Sequence, residues 1–376
     1  MGVLLLRVIL EIDSILRQRH SGFFTYGAGL LEGLLGLEER PEMGLFCSRR
    51  AFENKHWLAQ IEGQSQLRWH TCRMKPRHLG YWWQWFGIPS LQNYTGPFDI
   101  YHCNHHLMPP TKGKPRILTV HDLRRYRYPE FYPQSKLGPF ENAVNKADHF
   151  IAISQSTKSD LQEYFDIAEE KIDVVYHGGP IRRIVEETDE ETLLQKFDLQ
   201  KQRYFIAFSS YDRRKNLPNL MRAFAQIVNK LPVRYQFVII GSEPRHEDIF
   251  PGETKASLKG RIVFTGPLDN ITPLLRQSTA LVYVSLYEGF GLPLLEAMAA
   301  GTAVITSNCS SLPEVAGEAG LMVDPHEPEE IGRAMMDIAV NEQLRAELIA
   351  KGEKRARDFS WQKAAKETMA VYKKLI

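Results

Sequence analysis

Apolar and polar residues follow one another along this chain in the pattern typical of parallel α/β domains. Short β-branched apolar runs, such as 281–286 and 302–306, are bounded by loop residues and alternate with segments in which leucine or alanine recurs at helical spacing. The first 13 residues hold a similar run, but charged residues interrupt it. It therefore predicts a buried first strand and not a signal peptide or a membrane span.

The length of 376 residues suffices for two α/β domains, each with its own core. The polar, glutamate-rich segment 180–200 is the predicted linker. We place an N-terminal domain at 1–179 and a C-terminal domain at 201–360.

Composition adds three limits. The net charge of +2 gives no reason to expect nucleic acid as a partner. The four cysteines form no C-x-x-C pair and no spacing typical of a disulfide framework or a zinc site, so a reducing cytoplasm is the expected compartment. Since no apolar segment of 18 residues occurs, any membrane association must be peripheral.

The segment 285–301, SLYEGFGLPLLEAMAAG, carries the clearest chemistry. Gly289 and Gly291 allow a ligand to approach the backbone, Pro293 suits the first turn of a helix, and Gly301 would end it. The start of such a helix offers unpaired N–H groups and a partial positive charge. An anionic group is therefore favoured there, and the expected one is a diphosphate.

Two glutamates flank this predicted anion site, Glu288 in the loop and Glu296 about one turn inside the helix. Both suit sugar hydroxyls as hydrogen-bond acceptors. The stretch EGFGLPLLE resembles the E-x7-E signature of the retaining group-4 glycosyltransferases. This resemblance implies the GT-B fold, in which two Rossmann-like domains face each other across a cleft and a C-terminal helix, here about 361–376, returns to the N-terminal domain.

A cluster of cations follows another predicted strand. Arg214 and Lys215 stand at a strand-to-helix junction, where they suit a departing diphosphate, although such a turn taken alone is more often solvated. They match the R-K-N-L element of the resembled family. Many members carry a further arginine where this chain has Ser209, and Arg213 is the candidate replacement.

His121 follows an apolar strand in the tetrapeptide V-H-D-L, at a position where functional groups collect in open α/β sheets. The resemblance implies that it lies beside the donor sugar. The segment 17–36 is predicted as a glycine-containing loop followed by a helix, and the family's diphosphate loop is matched there by Ser21, Gly22 and Tyr26 but not by the residues between them. We interpret 101–110, with its three histidines, as an acceptor-side loop.

The resemblance implies that Glu288 positions the donor sugar, Glu296 the ribose, and that Arg214 and Lys215 neutralise the diphosphate without a metal or other cofactor. The predicted catalytic residues are Glu288, His121, Lys215 and Arg214. The predicted donor-binding residues are Gly22, Ser210, Arg214, Lys215, Gly266, Leu268, Glu288, Gly289, Phe290, Gly291, Leu292 and Glu296.

The expected activity is retaining transfer of a sugar from a nucleotide-sugar donor to a glycan or polyprenyl-linked glycan in bacterial surface polysaccharide synthesis. The motifs resemble polysaccharide mannosyltransferases, which favours GDP-mannose and places a UDP-sugar second. The alternative hypotheses are a GT-B nucleotide-sugar epimerase or phosphorylase and a non-catalytic GT-B partner subunit.

Five of the six tryptophans fall within 57–89, interleaved with basic residues. One interpretation is a basic, aromatic surface that contacts an anionic membrane or a lipid-linked acceptor. The other, which we favour here, is that the aromatics belong to the core and the bases are solvated. The predicted location is cytoplasmic, with peripheral contact at the inner face of the cell membrane under the first interpretation.

Overall fold

The computed structural model describes residues 6–17, 21–59, 61, 63–74, 76–134, 137–180, 189–209, 212–241, 250 and 257–376. The chain forms two compact units. Unit 1 comprises Met1–Arg183 and Phe359–Ile376, and unit 2 comprises Ile184–Asp358. The last helix of the chain thus belongs to the first unit.

Unit 1 is built on a parallel sheet of seven strands in the order β3-β2-β1-β4-β5-β6-β7. Its strands are β1 (Arg7–Glu11), β2 (Glu42–Ser48), β3 (Arg68–Cys72), β4 (Ile100–Cys103), β5 (Arg116–Val120), β6 (His149–Ala152) and β7 (Ile172–Val174). Helices cover both faces, so an apolar core lies on each side of the sheet. This arrangement explains why inner strands such as β1 and β5 appear in the sequence as continuous apolar runs.

The helices of unit 1 before the domain boundary differ widely in length. They are α1 (Gly22–Leu35), α2 (Arg49–Phe52), α3 (Pro76–Trp85), α4 (Gln92–Thr95), α5 (Arg124–Arg127), α6 (Gly138–Lys146) and α7 (Gln155–Phe165). The predicted loop at the start of 17–36 is wrong in part, because α1 already begins at Gly22. Ser21 caps it by accepting a hydrogen bond from the backbone N–H of Phe24.

Unit 2 is built on a parallel sheet of six strands in the order β10-β9-β8-β11-β12-β13. Its strands are β8 (Tyr204–Ser209), β9 (Gln236–Gly241), β10 (Ile262–Gly266), β11 (Ala280–Tyr283), β12 (Val304–Ser307) and β13 (Gly320–Val323). The two parallel sheets confirm the predicted α/β class.

The described helices of unit 2 alternate with these strands. They are α8 (Glu190–Lys196), α9 (Leu217–Ile227), α10 (Thr272–Gln277), α11 (Leu292–Ala299), α12 (Leu312–Ala316), α13 (Pro328–Val340) and α14 (Glu342–Ala356). Helix α8 occupies part of the segment predicted as a linker, and Glu190 accepts a hydrogen bond from Gln277. Part of 180–200 is therefore packed into unit 2.

The C-terminal helix, α15 (Trp361–Lys374), packs against α1 within unit 1. A side chain at Gly29 or Gly33 would collide with Trp361, since a Cβ at those positions would lie 2.2 and 2.3 Å from its atoms. The indole Nε1 donates to the carbonyl of Gly179 at 2.9 Å. The glycines of α1 therefore admit a close helix contact. Within the described residues, no helix is long and apolar enough to cross a membrane.

In each sheet the strand order reverses direction between two adjacent strands. The reversal lies between β1 and β4 in unit 1 and between β8 and β11 in unit 2. Loops leave the carboxyl ends of both strands at such a point, which opens a crevice where ligands bind in doubly wound α/β folds. In unit 2, Arg214 and Lys215 follow β8, and residues 288–296 follow β11. In unit 1, Gly22 follows β1, whereas His121 follows β5, the neighbour of β4.

Candidate active site

The loop after β8 forms a short 3₁₀ turn, Arg213–Lys215, at the switch point of unit 2. Asp212 begins the turn and accepts from the backbone N–H of Arg214, and its carboxylate also binds the Arg214 Nε at 2.8 Å. The carbonyl of Arg214 accepts from the backbone N–H of Leu286, in the loop after β11, at 2.8 Å. The two loops are thereby joined through their backbones.

Glu288 is the centre of an ion cluster in this crevice. Its carboxylate contacts the guanidinium of Arg214, and its Oε1 lies 2.7 Å from the Nζ of Lys215. Lys215 also donates to the hydroxyl of Tyr283 at 2.6 Å. All three charged side chains are about nine-tenths buried. The structure thus brings together the three residues that the sequence placed in two separate motifs.

The loop from Glu288 to Gly291 is held by serines that follow β12. The hydroxyl of Ser311 donates to the carbonyls of Glu288 and Phe290, while the hydroxyl of Ser310 accepts from the Glu288 N–H at 3.1 Å. Gly291 has φ +124, a conformation that other residues rarely adopt, and it directly precedes α11. The first N–H groups of α11 therefore begin next to the ion cluster.

Burial and charge act in opposite directions in this cluster. Burial lowers the pKa of Lys215 to about 8, although Glu288 opposes the shift. Burial alone would raise the pKa of Glu288, but Arg214 and Lys215 outweigh it and hold that pKa well below its usual range. Glu288 is therefore ionised at neutral pH and cannot donate a proton. Arg214 and Lys215 are thus balanced by two carboxylates, Glu288 and Asp212. The N–H groups at the start of α11 are the further donors that this crevice offers to an anion.

We expect a falling alkaline limb near pH 8 in the profile of kcat/KM for the donor. The free protein loses the charge of Lys215 as the pH rises through its pKa of about 8, and with it a positive charge that the family resemblance implies for binding a donor diphosphate. The limb in kcat should lie at higher pH, because a bound anion stabilises the protonated amine. In Lys215→Arg the guanidinium stays charged, so the alkaline limb near pH 8 should disappear. If the limb persists at pH 8 in this variant, another group causes it.

Other predicted donor residues lie along the same edge of the sheet. Glu296 is half-buried in α11, and its charge contributes to raising the pKa of Tyr283. Gly266 ends β10 with φ +70, and Leu268 follows it in the loop, three strands away from β11. Ser210 lies outside the described residues. Leu292 is half-buried as the first residue of α11, after buried Gly289 and Phe290.

Arg213 differs from its two neighbours in the turn. It is exposed, whereas Arg214 and Lys215 are held by carboxylates. Ser209 is buried at the end of β8. The position at which many relatives of the resembled family carry an arginine is thus occupied by a small buried residue, and Arg213 points its charge to solvent.

His121 directly follows β5 in unit 1 and is enclosed by aromatic rings. The ring centroids of Phe23 and Tyr26 lie 4.6 and 4.8 Å from that of His121. Burial lowers the pKa of His121 to about 4, against the opposing effect of Asp122. The neutral ring carries its proton on Nε2, because that atom lies 3.0 Å from the carbonyl of Asn104, which can only accept. Nδ1 is then an acceptor suited to a hydroxyl.

Gly22 and the neighbouring matched residues have structural roles in α1. Gly22 is the exposed first residue of the helix. Tyr26 is buried and bonds the hydroxyl of Thr119 at 2.9 Å, and His102 joins that hydroxyl to Tyr372 of α15. Phe23, which stands where the resembled family has another residue, packs against His121. Tyr26, which matches the family, contacts both His121 and Trp361 of the C-terminal helix.

Two polar residues at the switch point of unit 1 were not predicted as site residues. Glu11 ends β1, is fully buried, and accepts from the backbone N–H of Asp13 at 2.6 Å. Burial raises its pKa to about 7, with Asp13 contributing. Asn104 donates to the carbonyl of Glu11 at 2.6 Å. The only feature of the sequence that could have indicated Glu11 and Asn104 is their position at the carboxyl ends of β1 and β4.

In unit 2, further residues that no motif indicated contact the predicted site residues. Asp212 orients Arg214, Tyr283 binds Lys215, and Ser310 with Ser311 supports the glycine loop. Each stands at or just after the end of a strand. In the described part of the chain, no group of three or more His, Cys, Asp or Glu side chains is placed to hold a metal ion.

The two doubly wound units, with an ion cluster and a helix start at a switch point, define an α/β protein whose candidate site lies at the carboxyl ends of the strands. The family described as "Glycosyltransferase Family 4" matches residues 43–183, and that described as "Glycosyl transferases group 1" matches residues 189–355. The chain belongs to these glycosyltransferases, as the resemblance of its motifs implied.

Similar proteins cover most of the chain. O-antigen chain mannosyltransferase B of Escherichia coli is 28% identical over 92% of this chain and 90% of its own length. Serotype-specific mannosyltransferase WbdA of Escherichia coli is 30% identical over 73% of this chain, which spans 33% of WbdA. The crystal structure of Anabaena HepE in complex with UDP and glucose matches 98% of this chain and 100% of HepE, with a TM-score of 0.72 at 18% identity. The structural matches confirm the predicted GT-B fold class.

Proposed function

We propose that this glycosyltransferase moves mannose from GDP-mannose to a hydroxyl of a glycan acceptor in bacterial surface polysaccharide synthesis, with retention of anomeric configuration. Two relatives that cover much of the chain are named as O-antigen or serotype-specific mannosyltransferases, which supports both the sugar and the acceptor class. The observation that carries the proposal is the buried cluster of Arg214, Lys215 and Glu288 beside the start of α11.

In the proposed reaction the cluster stabilises the departing diphosphate. Charge grows on the bridging oxygen as the bond to the sugar C1 breaks, and preorganised cations in a site shielded from water stabilise that charge most effectively. Lys215 and Arg214 supply the positive charge, and the N–H groups of α11 supply further donors. The protein's own residues thus take the role that a metal ion has in other transferases.

Glu288 has a positioning role in this scheme. Its pKa is held low by two cations, so its carboxylate is a weak base and a hydrogen-bond acceptor for sugar hydroxyls. We infer that no covalent sugar–enzyme intermediate forms on it, since the same cations occupy both of its oxygens. The acceptor hydroxyl then attacks the face from which the diphosphate leaves, through a short-lived ion pair. Its proton passes to the departing diphosphate.

Donor identity can be tested by ligand-induced stabilisation followed by transfer. GDP and GDP-mannose should raise Tm more than UDP, ADP or their sugars, because a ligand at about 100 times its Kd stabilises the folded state by roughly 2.7 kcal/mol. Transfer of labelled mannose to a glycan acceptor completes the test. A larger shift with UDP and transfer from a UDP-sugar would replace GDP-mannose by the alternative that HepE, solved with UDP, represents.

We expect transfer to continue in the presence of EDTA. Arg214, Lys215 and the start of α11 are the proposed source of positive charge, and chelation leaves them unchanged. The measurement is the initial rate after dialysis against EDTA, with and without added Mg²⁺ or Mn²⁺. Loss of activity that either ion restores would contradict the proposed stabilisation of the leaving group.

His121→Ala should lower kcat about 100-fold, the usual effect of removing one preorganised hydrogen-bonding group at a reacting centre. Its neutral ring presents Nδ1 as an acceptor, and alanine has no such atom. The affinity for GDP should stay unchanged, because the proposed diphosphate contacts belong to unit 2. His56→Ala, at an exposed histidine of the same unit, is the control. Unchanged turnover in His121→Ala would remove His121 from the proposed site.

A further inference from the structure

Helix α3 turns several large aromatic side chains outward. Tyr81, Trp82 and Trp85 are 51%, 47% and 74% exposed, and Phe86 and Ile88, just after the helix, are 64% and 61% exposed. We name these five residues the α3 patch. A helix on the surface of a soluble domain ordinarily turns polar side chains to water. Contiguous exposed apolar residues of this size mark a surface for binding.

Contacts of the inner face of α3 fix the orientation of the helix, and thereby keep the α3 patch on the outside. Leu79 and Trp83 are buried in the core of unit 1, four residues apart on one side of the helix. The indole Nε1 of Trp83 donates to the carbonyl of Pro89 at 2.7 Å, and the amine of Lys146 donates to the carbonyl of Trp83 at 3.3 Å. With one face held in this way, the helix cannot bury the α3 patch by rotating.

The segment that carries the patch has an excess of positively charged residues. Residues 63–98 contain four Lys or Arg residues and no Asp or Glu, although the whole chain has a net charge of only +2. One of the four, Arg68, is paired with Glu42. Arg73 and His78 are exposed close to the patch in the sequence. An anionic partner would therefore meet attraction here and no carboxylate from this segment.

We propose that the α3 patch binds the surface of an anionic lipid bilayer. Tryptophan and tyrosine are the side chains that prefer the level of the lipid headgroups, and nearby cations strengthen binding to an anionic leaflet. A helix that lies in the interface needs only one apolar face, which α3 has. The core interpretation of the tryptophan cluster thus holds for Trp83, and the surface interpretation applies to Trp82 and Trp85. The inference is independent of which donor or acceptor the enzyme uses.

Vesicle co-sedimentation tests the proposal directly. Wild-type protein should sediment with vesicles of phosphatidylcholine and phosphatidylglycerol, less with phosphatidylcholine alone, and less as salt rises, because salt screens the charges. Trp82→Ser with Trp85→Ser should lower the bound fraction at least tenfold. Val233→Ser with Val340→Ser, at exposed valines of unit 2, should leave it unchanged. Both proteins should keep wild-type Tm and transfer to a soluble acceptor.

Quenching by brominated lipids identifies the contact even if the serine variant fails to fold. Wild-type tryptophan fluorescence should fall on binding, whereas Trp82→Phe with Trp85→Phe should still bind but lose most of the quenching. Absence of binding to anionic vesicles, or binding without quenching, would overturn the proposal. Sedimentation velocity can give another contrary result. If the serine substitutions abolish self-association or the binding of a protein partner but leave vesicle binding unaffected, the proposal is overturned.

Discussion

Glu288→Gln should lower the rate of transfer about 100- to 1000-fold, the usual cost of removing one preorganised electrostatic contact from an active site. It should also lower the stability of the free protein. The substitution leaves Arg214 and Lys215, both largely buried, without the carboxylate that they share, and breaking a buried ion pair typically costs about 3–5 kcal/mol. Asp212 still binds Arg214, so we expect the greater loss at Lys215.

A nucleoside diphosphate should stabilise Glu288→Gln more than it stabilises the wild-type protein. The ligand would bring negative charge to cations that the substitution leaves uncompensated. Thermal unfolding with and without GDP measures this difference, and Glu353→Gln, at an exposed glutamate of unit 2, is the control. Near-wild-type turnover in Glu288→Gln, or a smaller Tm shift with the ligand, would show that the cluster does not face the donor diphosphate.

Lys215→Ala should lower kcat/KM for the donor about 100- to 1000-fold, because the amine is one of two cations proposed to stabilise the leaving group. The fold should tolerate this change better than Glu288→Gln. Glu288 keeps Arg214 as a partner, and the buried lysine itself is costly to keep charged, as its lowered pKa indicates. Steady-state kinetics together with thermal unfolding would separate the two effects.

Arg213→Ala is the matched control for Lys215→Ala. The two cations are two residues apart in one turn, but Arg213 is exposed and Lys215 is buried against Glu288 and Tyr283. We expect less than a fivefold change in the control, as is usual for a solvated surface charge. An equal loss in both variants would assign Arg213 a donor contact and make it the replacement for the arginine missing at Ser209.

Much of the fold could be predicted because the inner strands of both sheets are buried on both faces and therefore appear in the sequence as apolar runs. The two loops at the switch point of unit 2 could also be predicted from the sequence. The cationic turn follows β8, the glycine loop follows β11, and these strands are neighbours in the sheet. Arg214, Lys215 and Glu288 meet there as a consequence of topology.

Other features depend on contacts between distant parts of the chain, which local patterns do not carry. Ser21 caps α1 at Gly22, and Gly29 and Gly33 lie against Trp361 of α15, so these two glycines serve a helix contact and not a loop. Helix α8 is held by Gln277, more than 80 residues later. The outward orientation of Trp82 could not be distinguished from the inward one of Trp83 by composition alone.

The anomeric configuration of the product is the most direct test of the central claim, that a metal-free ion cluster expels the diphosphate while the acceptor attacks from the same face. GDP-α-mannose labelled with ¹³C at C1 should be incubated with the enzyme and a glycan acceptor, and the one-bond carbon–proton coupling at C1 of the product measured by NMR. We predict the α-mannoside in wild type and its loss in Lys215→Ala. A β-mannoside would show inversion and contradict the account.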